Sequence, residues 1–248
     1  MHKTLCALIV ALLFPTGVVH ADITEAVKTA MQSELRTDAE TARDANRKPA
    51  ETLAFFRLEP DMRVLELIPG GGWYTKLLAP VLAEEGKLFV AVGTQGIANM
   101  QAEGQLSEVE ILEFDGSNIV RTPGERRIGV KALDLSVKNI DLALTFRNLH
   151  NLNADGRKAM NEGVFKTLKR GGLYGIIDHT RRHMQSDSSE NWRRLDPVQV
   201  IKEVEAAGFE FVDYSDLHYR YDDELRYEVG RKSVAGNTDR FTLLFEKP

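Results

Sequence analysis

The sequence predicts a doubly wound α/β protein with a mostly parallel sheet. Apolar runs of buried-strand type alternate with helical patterns from residue 62 onward. The first of these runs ends in a glycine cluster that enters a helix, as ligand-binding turns of such sheets do. A chain of 248 residues, 43% hydrophobic and 28% charged, is large enough to bury one sizeable core.

Each element follows from its pattern. Ile23, Val27, Ala30 and Met31 recur at helical spacing, and a charged stretch, Thr37 to Lys48, follows. Pro49 opens a second helix carrying Leu53, Phe55 and Phe56, which Glu59-Pro60-Asp61 breaks. Then come a strand from Arg63 to Ile68, a glycine turn, a helix from Trp73 to about Ala83 and a strand from Leu88 to Val92, forming a β-α-β unit. Further strands are expected at Val109 to Phe114, Ile140 to Phe146 and Leu173 to Ile177. A Gly- and Pro-punctuated excursion, Gly116 to Ser136, precedes the second of these, and a helix from Arg157 to Leu168 precedes the third. Asp196, Pro197 and Gln199 form an N-cap, a first-turn proline and the far end of a capping box for a helix ending at Gly208. Strands at Phe209 to Leu217 and Phe241 to Phe245 close the pattern. The expected division is a signal segment over 1–21, a helical segment over 22–60 and an α/β domain over 61–248.

The formal charge of -5 argues against nucleic acid as a partner, which needs a basic footprint, and leaves a small molecule as the expected one. At the N-terminus His2 and Lys3 precede an apolar run, Leu5 to Phe14, too short to span a bilayer. Val19 and Ala21 are the small residues expected before cleavage ahead of Asp22, so a periplasmic or secreted chain with no membrane attachment after cleavage is predicted. Cys6, the only cysteine, lies in this segment. The mature chain then has no disulfide, no thiol nucleophile and no thiolate metal ligand. Nothing in the sequence fixes the oligomeric state.

Strand ends are where ligands sit in such a sheet. The first strand ends Glu66-Leu67-Ile68-Pro69-Gly70-Gly71-Gly72-Trp73-Tyr74-Thr75, an acid followed by glycines whose N–H groups can meet an anionic ligand end. No Lys-Ser/Thr follows, which excludes a P-loop, and Thr75 stands where a dinucleotide fingerprint needs its last glycine.

Val64 to Thr75 resembles the first motif of class I S-adenosylmethionine-dependent methyltransferases, and the resemblance extends over about Arg43 to Pro248. Arg47 to Ala50, Pro69 to Thr75, Thr145 to Asn151 and Asp178-His179 are similar to a bacterial group of exported methyltransferase-like proteins. This implies a Rossmann-like, seven-stranded sheet with its last strand reversed, and S-adenosylmethionine as cofactor. It also implies a cofactor cradle of Glu66, Gly70, Gly71, Gly72 and Tyr74, with Asp115 toward the adenosine. Ile68 replaces the family's usual first glycine, and the second strand ends Ala91-Val92-Gly93-Thr94 without the acid that grips the ribose.

Three further residues are candidates for the reacting end. His150 can serve as a general base or brace its loop, and Asn148 can hold substrate by hydrogen bonds. His179 is expected across the mouth, where Asp178 beside it could orient an imidazole, although neighbours on a strand point to opposite faces. Arg181, Arg182, His183, Arg193 and Arg194 around Trp192 read as a lid over an anionic or aromatic substrate, or as a solvated basic loop. No metal is predicted, because Asp178, His179 and His183 lack a ligand spacing on one helix face. Methyl transfer is the leading function, a non-catalytic small-ligand protein the alternative, and a nicotinamide-dependent oxidoreductase a weaker third.

Overall fold

A computed structural model describes residues 23–248; the expected export segment lies outside them. In chain order the helices are α1 (Ile23–Ala30), α2 (Asp38–Thr41), α3 (Asp44–Arg47), α4 (Pro49–Phe55), α5 (Thr75–Leu82), α6 (Gln95–Ala102), α7 (Ala154–Thr167) and α8 (Pro197–Glu205). The strands are β1 (Arg63–Leu67), β2 (Lys87–Ala91), β3 (Glu110–Ile111), β4 (Ile119–Val120), β5 (Gly129–Val130), β6 (Ile140–Phe146), β7 (Leu168–His179), β8 (Glu210–Ser215) and β9 (Arg240–Glu246). Seven strands form one sheet in the order β3-β2-β1-β6-β7-β9-β8, in which β9 runs antiparallel to both neighbours. The reversed last strand is therefore present. The small hairpin of β4 and β5 stands apart from the sheet.

The central strands form because their residues are apolar on both faces, as strands covered by helices on each side must be. Val64, Leu65 and Leu67 of β1 and Leu142, Ala143 and Leu144 of β6 are fully buried. Two cores result, one on each face of the sheet. Among the described residues no helix is long and apolar enough to cross a membrane.

Several boundaries differ from expectation for local reasons. The third strand shortens to Glu110–Ile111, because it lies at the sheet edge with only β2 to pair with. Helix α6 escapes the sequence reading because Ile97 is its only buried residue. α7 begins three residues early, at Ala154, where the Asn153 side chain caps the Gly156 N–H at 2.8 Å. β7 starts at Leu168, so Gly171 and Gly172 fall inside an irregular strand rather than after a helix. Asp196 caps α8 as expected, but Gln199 bonds Glu203 and Arg181 instead of closing a capping box.

Helices α1 and α4 join the core on one face of the sheet. Val27, Leu53 and Phe56 join Val64, Leu77 and Leu144 in one core. His218, fully buried, fastens this segment: its Nε2 meets the Arg47 carbonyl at 3.0 Å and its Nδ1 the Thr242 hydroxyl of β9 at 2.7 Å. The charged stretch thereby becomes a wall beside the strand ends.

Candidate functional site

Three central strands end alike. Ile68 after β1, Val92 after β2 and Arg147 after β6 all adopt the left-handed backbone, at φ 55, 63 and 60. A β-branched residue there is strained, at a cost of about 1–3 kcal/mol. Ile68 thus adopts a backbone conformation that favours glycine, the residue the resemblance expects at its position.

The cleft over these ends has two adjoining chambers. The first, about 220 Å³, is lined by Glu66, Ile68 to Gly71, Tyr74, Phe146 and Asn148. The second, about 350 Å³, is lined by His150, His179, Arg193, Thr238 and Arg240 among others. Arg43, Arg47 and Arg147 border both.

At the floor of the first chamber, Glu66 accepts the Thr75 hydroxyl at 2.6 Å. Burial pushes its carboxyl from 4.5 up to about 7, against the opposing pull of the Thr75 bond and the Arg47 charge. Between these values the folded protein holds a proton that the unfolded chain has released. Stability due to this group is therefore present below pH 4.5 and lost as pH rises toward 7, by about 3 kcal/mol in all. Glu66→Gln is expected to gain that amount over the parent between pH 5 and pH 8 in denaturant unfolding. A constant difference at both pH values would refute this assignment. His218, held near 4 by burial and by Arg240, and the likewise depressed His179 act with opposite sign, but both are common to the two proteins and cancel.

The second chamber contains an aspartate–histidine pair. Asp178 Oδ1 accepts His150 Nδ1–H at 2.5 Å and the His179 backbone N–H at 2.7 Å, while Oδ2 accepts the His150 backbone N–H at 3.0 Å. A carboxylate can only accept here, so the proton sits on Nδ1 and the His150 Nε2 keeps its lone pair. The His179 ring lies 5.5 Å from that of His150, with its Nδ1 2.9 Å from the Thr238 hydroxyl. Burial, then the neighbouring His150 ring and the charges of Arg147 and Arg240, hold His179 well below the usual histidine range, so it is neutral at pH 7. Side-chain donors of His150, Asp178 and His179 come within 4.8 Å of one another, a grouping with metal-ligand dimensions. Asp178 already receives three N–H groups, and the adjacent arginines oppose a cation, so the arrangement suits a proton better than a metal ion.

The other predicted residues divide. Tyr74 is buried and stacks on Phe146 at 3.5 Å. Gly70 and Gly71 face the first chamber, whereas a Cβ on Gly72 would lie 2.8 Å from Met100 of α6. Asn148 lines the glycine chamber rather than the histidine one, its amide donating to the carbonyls of Leu67 and Ile68 at 3.3 and 3.1 Å. Asp115 is exposed, caps the Ser117 N–H at 2.9 Å and lines neither chamber.

The basic loop is mostly held by structural contacts, the ion pairs of Arg194 with Asp223 and Arg181 with Asp187 and a 2.9 Å hydrogen bond between His183 and Asp196. Trp192 borders a different cavity beside Arg127, and of the loop only Arg193, paired with Glu228, reaches the second chamber. Sequence reasoning assigned no role to Arg43, Arg47, Arg147 or Arg240, which meet only through the fold.

No family model matches the chain, and no curated protein matches it in sequence. Solved structures match its architecture. A SAM-dependent methyltransferase from Aquifex aeolicus superposes with a TM-score of 0.59 at 16% identity, covering 91% of this chain and 98% of that one. The chain has the class I methyltransferase fold. Human N-acetylserotonin methyltransferase, solved in complex with SAM, gives a TM-score of 0.53 at 14% identity over 90% of this chain and 56% of its own. The [4+2]-cyclase SpnF gives 0.54 at 15% identity, covering 92% and 94%. Proteins described as a methyltransferase and as a cyclase thus share this architecture, and fold alone does not choose between chemistries.

Proposed function

We propose that this protein is an S-adenosylmethionine-dependent methyltransferase, exported from the cytoplasm, that acts on a small acceptor. The observation that carries the reading is the juxtaposition of an open glycine turn over a buried strand-end acid with a chamber holding a carboxylate-oriented histidine. Export is inferred from the Lys3, Leu5 to Phe14 and Val19-x-Ala21 pattern.

The residues fit the amino-acid end of the cofactor. A Cβ added at Gly70 or Gly71 meets nothing within 4 Å, so the turn has space against it, and the N–H groups of both have no protein acceptor among the described residues. Those N–H groups would hold a carboxylate, and Glu66 would receive an ammonium. When bound, S-adenosylmethionine supplies an electrophilic methyl group. His150 Nε2 accepts the proton released by the acceptor, and Asp178 stabilises the resulting imidazolium.

The ribose side fits less well. No acid ends β2, and α6 lies so close that a Cβ on Gly96 would stand 2.3 Å from the Gly70 carbonyl. The missing charge-assisted bond costs about 1.5–3 kcal/mol, roughly ten- to a hundredfold in affinity. This closure supports a second reading, a non-catalytic protein that uses the same fold for another small ligand.

Calorimetry with S-adenosylmethionine on the parent and on Gly71→Val separates the two. The valine enters open space, so the variant is expected to fold and to bind at least tenfold more weakly. No binding by the parent would leave the second reading; equal binding by both would remove the glycine turn from the site. N-terminal sequencing of exported protein beginning at Asp22 tests the location.

A further inference from the structure

The second chamber is cationic without being matched by acids. Arg43, Arg47, Arg147, Arg193 and Arg240 line it, and no aspartate or glutamate does. Of the five, only Arg193 forms an ion pair, with Glu228. Among the described residues no carboxylate pairs with the other four. Arg47 and Arg240 are only 5% and 6% exposed. Arg47 rests on Trp73, 4.2 Å from the ring centroid, and Arg240 donates only to the carbonyls of Asn46 and Thr238.

Such grouping is costly. Each buried guanidinium without a counter-charge loses several kcal/mol of hydration, and like charges repel in the low dielectric of a cleft. The strain is visible in the acidities. Burial and then the neighbouring arginines bring Arg47 down to about 9, and burial brings Arg240 down to about 10, against the smaller pull of Tyr74. A general basic surface does not explain the cluster, since the chain carries a formal charge of -5.

We infer that the histidine chamber binds a small oxyanion with at least two carboxylate or phosphoryl groups, and that the methyl acceptor belongs to this class. Guanidinium forks pair with such groups through two parallel N–H···O bonds. The geometry assigns them separate tasks. Arg47 and Arg147 stand where the chambers meet, beside the glycine turn, while Arg193 and Arg240 reach only the histidine side. One anionic group at the junction and another against Arg240 would place the body of the molecule over His150. The chamber's volume of about 350 Å³ suits a small molecule rather than a chain of phosphates.

The word acceptor rests on the methyltransferase reading; the binding does not, and its test omits the cofactor. Calorimetry at constant ionic strength would compare succinate, citrate and pyrophosphate, with succinamide as the neutral counterpart of succinate. The expected result is binding of citrate or pyrophosphate, succinamide being silent. Arg147→Gln and Arg240→Gln should each weaken it at least tenfold. Arg147 makes no side-chain hydrogen bond to the protein among the described residues, so its variant should fold normally. Arg240→Lys should restore part of the affinity, because it keeps the charge where Gln does not. Equal binding of succinamide, unaltered affinity in both Gln variants, or full displacement of the anion by S-adenosylmethionine would overturn the inference. Failure of S-adenosylmethionine to bind while the anion still does would sink the methyltransferase reading alone.

Discussion

Arg194→Met is expected to destabilise the protein by about 3–5 kcal/mol, the usual result of removing one partner of a buried ion pair. Arg194 is fully buried and grips Asp223 with two bonds of 2.9 and 3.0 Å. It also donates to the carbonyls of Tyr227 and Thr180 at 2.9 and 3.1 Å, and Asp223 receives the Asp239 N–H at 2.7 Å. Methionine fills similar space but leaves the Asp223 charge without its counter-ion in a dry interior. For a chain of this length the loss corresponds to a Tm lower by about 6–20 °C. Adding Asp223→Leu should recover much of it, because the charge is then gone from both sides. A single variant within 1 °C of the parent in thermal unfolding would show that the pair is dispensable. The pair also has a functional consequence. It joins the loop after β7 to the long β8–β9 connection, and these two segments carry Arg193 and Thr238 to the second chamber, the latter leading into Arg240 at the start of β9.

How much of this could be read from the chain depends on the range of the interactions. β6 was legible to the residue, Ile140 to Phe146, because a central parallel strand reads as a mostly apolar run, here broken only by Asp141 and Thr145. Glu66 and the glycine turn were legible because they are contiguous and follow a strand. The partner of Asp178 was not. Adjacency suggested His179, yet the carboxylate turns back to His150, 28 positions earlier, because β6 and β7 are neighbours whose ends lie side by side. The arginine cluster was least legible of all. Positions 43, 47, 147, 193 and 240 belong to four separate parts of the chain, and each arginine reads singly as an ordinary surface charge. Only the packing of α1 and α4 over the sheet, with the Arg47 carbonyl fastened through His218, converts Arg47 from a surface residue into one lining the cleft.

His150→Gln is expected to lower methyl-transfer turnover about 10²- to 10⁴-fold while binding of S-adenosylmethionine and of the anion changes little, since general-base catalysis is worth that much in rate. The geometry supports a role in proton transfer. His150 is 5% exposed, borders the second chamber and is fixed by Asp178 through both its ring and its backbone N–H. His179, held neutral by burial and the surrounding cations, adds no competing charge. Glutamine keeps a side-chain N–H for Asp178, so the loop retains a partner, but its amide has no basic nitrogen. A merely bracing histidine would behave differently: the variant would lose thermal stability along with activity, and turnover would recover on cooling. The measurement is initial formation of S-adenosylhomocysteine with an acceptor drawn from the anions that bind the second chamber, run beside thermal unfolding of both proteins. Full turnover in a stably folded His150→Gln protein would exclude this residue as the base. Asp178→Asn offers an independent check through the charge. Whichever way its amide turns, the NH2 meets a backbone N–H of His150 or His179 and the imidazolium loses its counter-charge, so activity should fall well below the parent's, and the double variant should be little slower than His150→Gln.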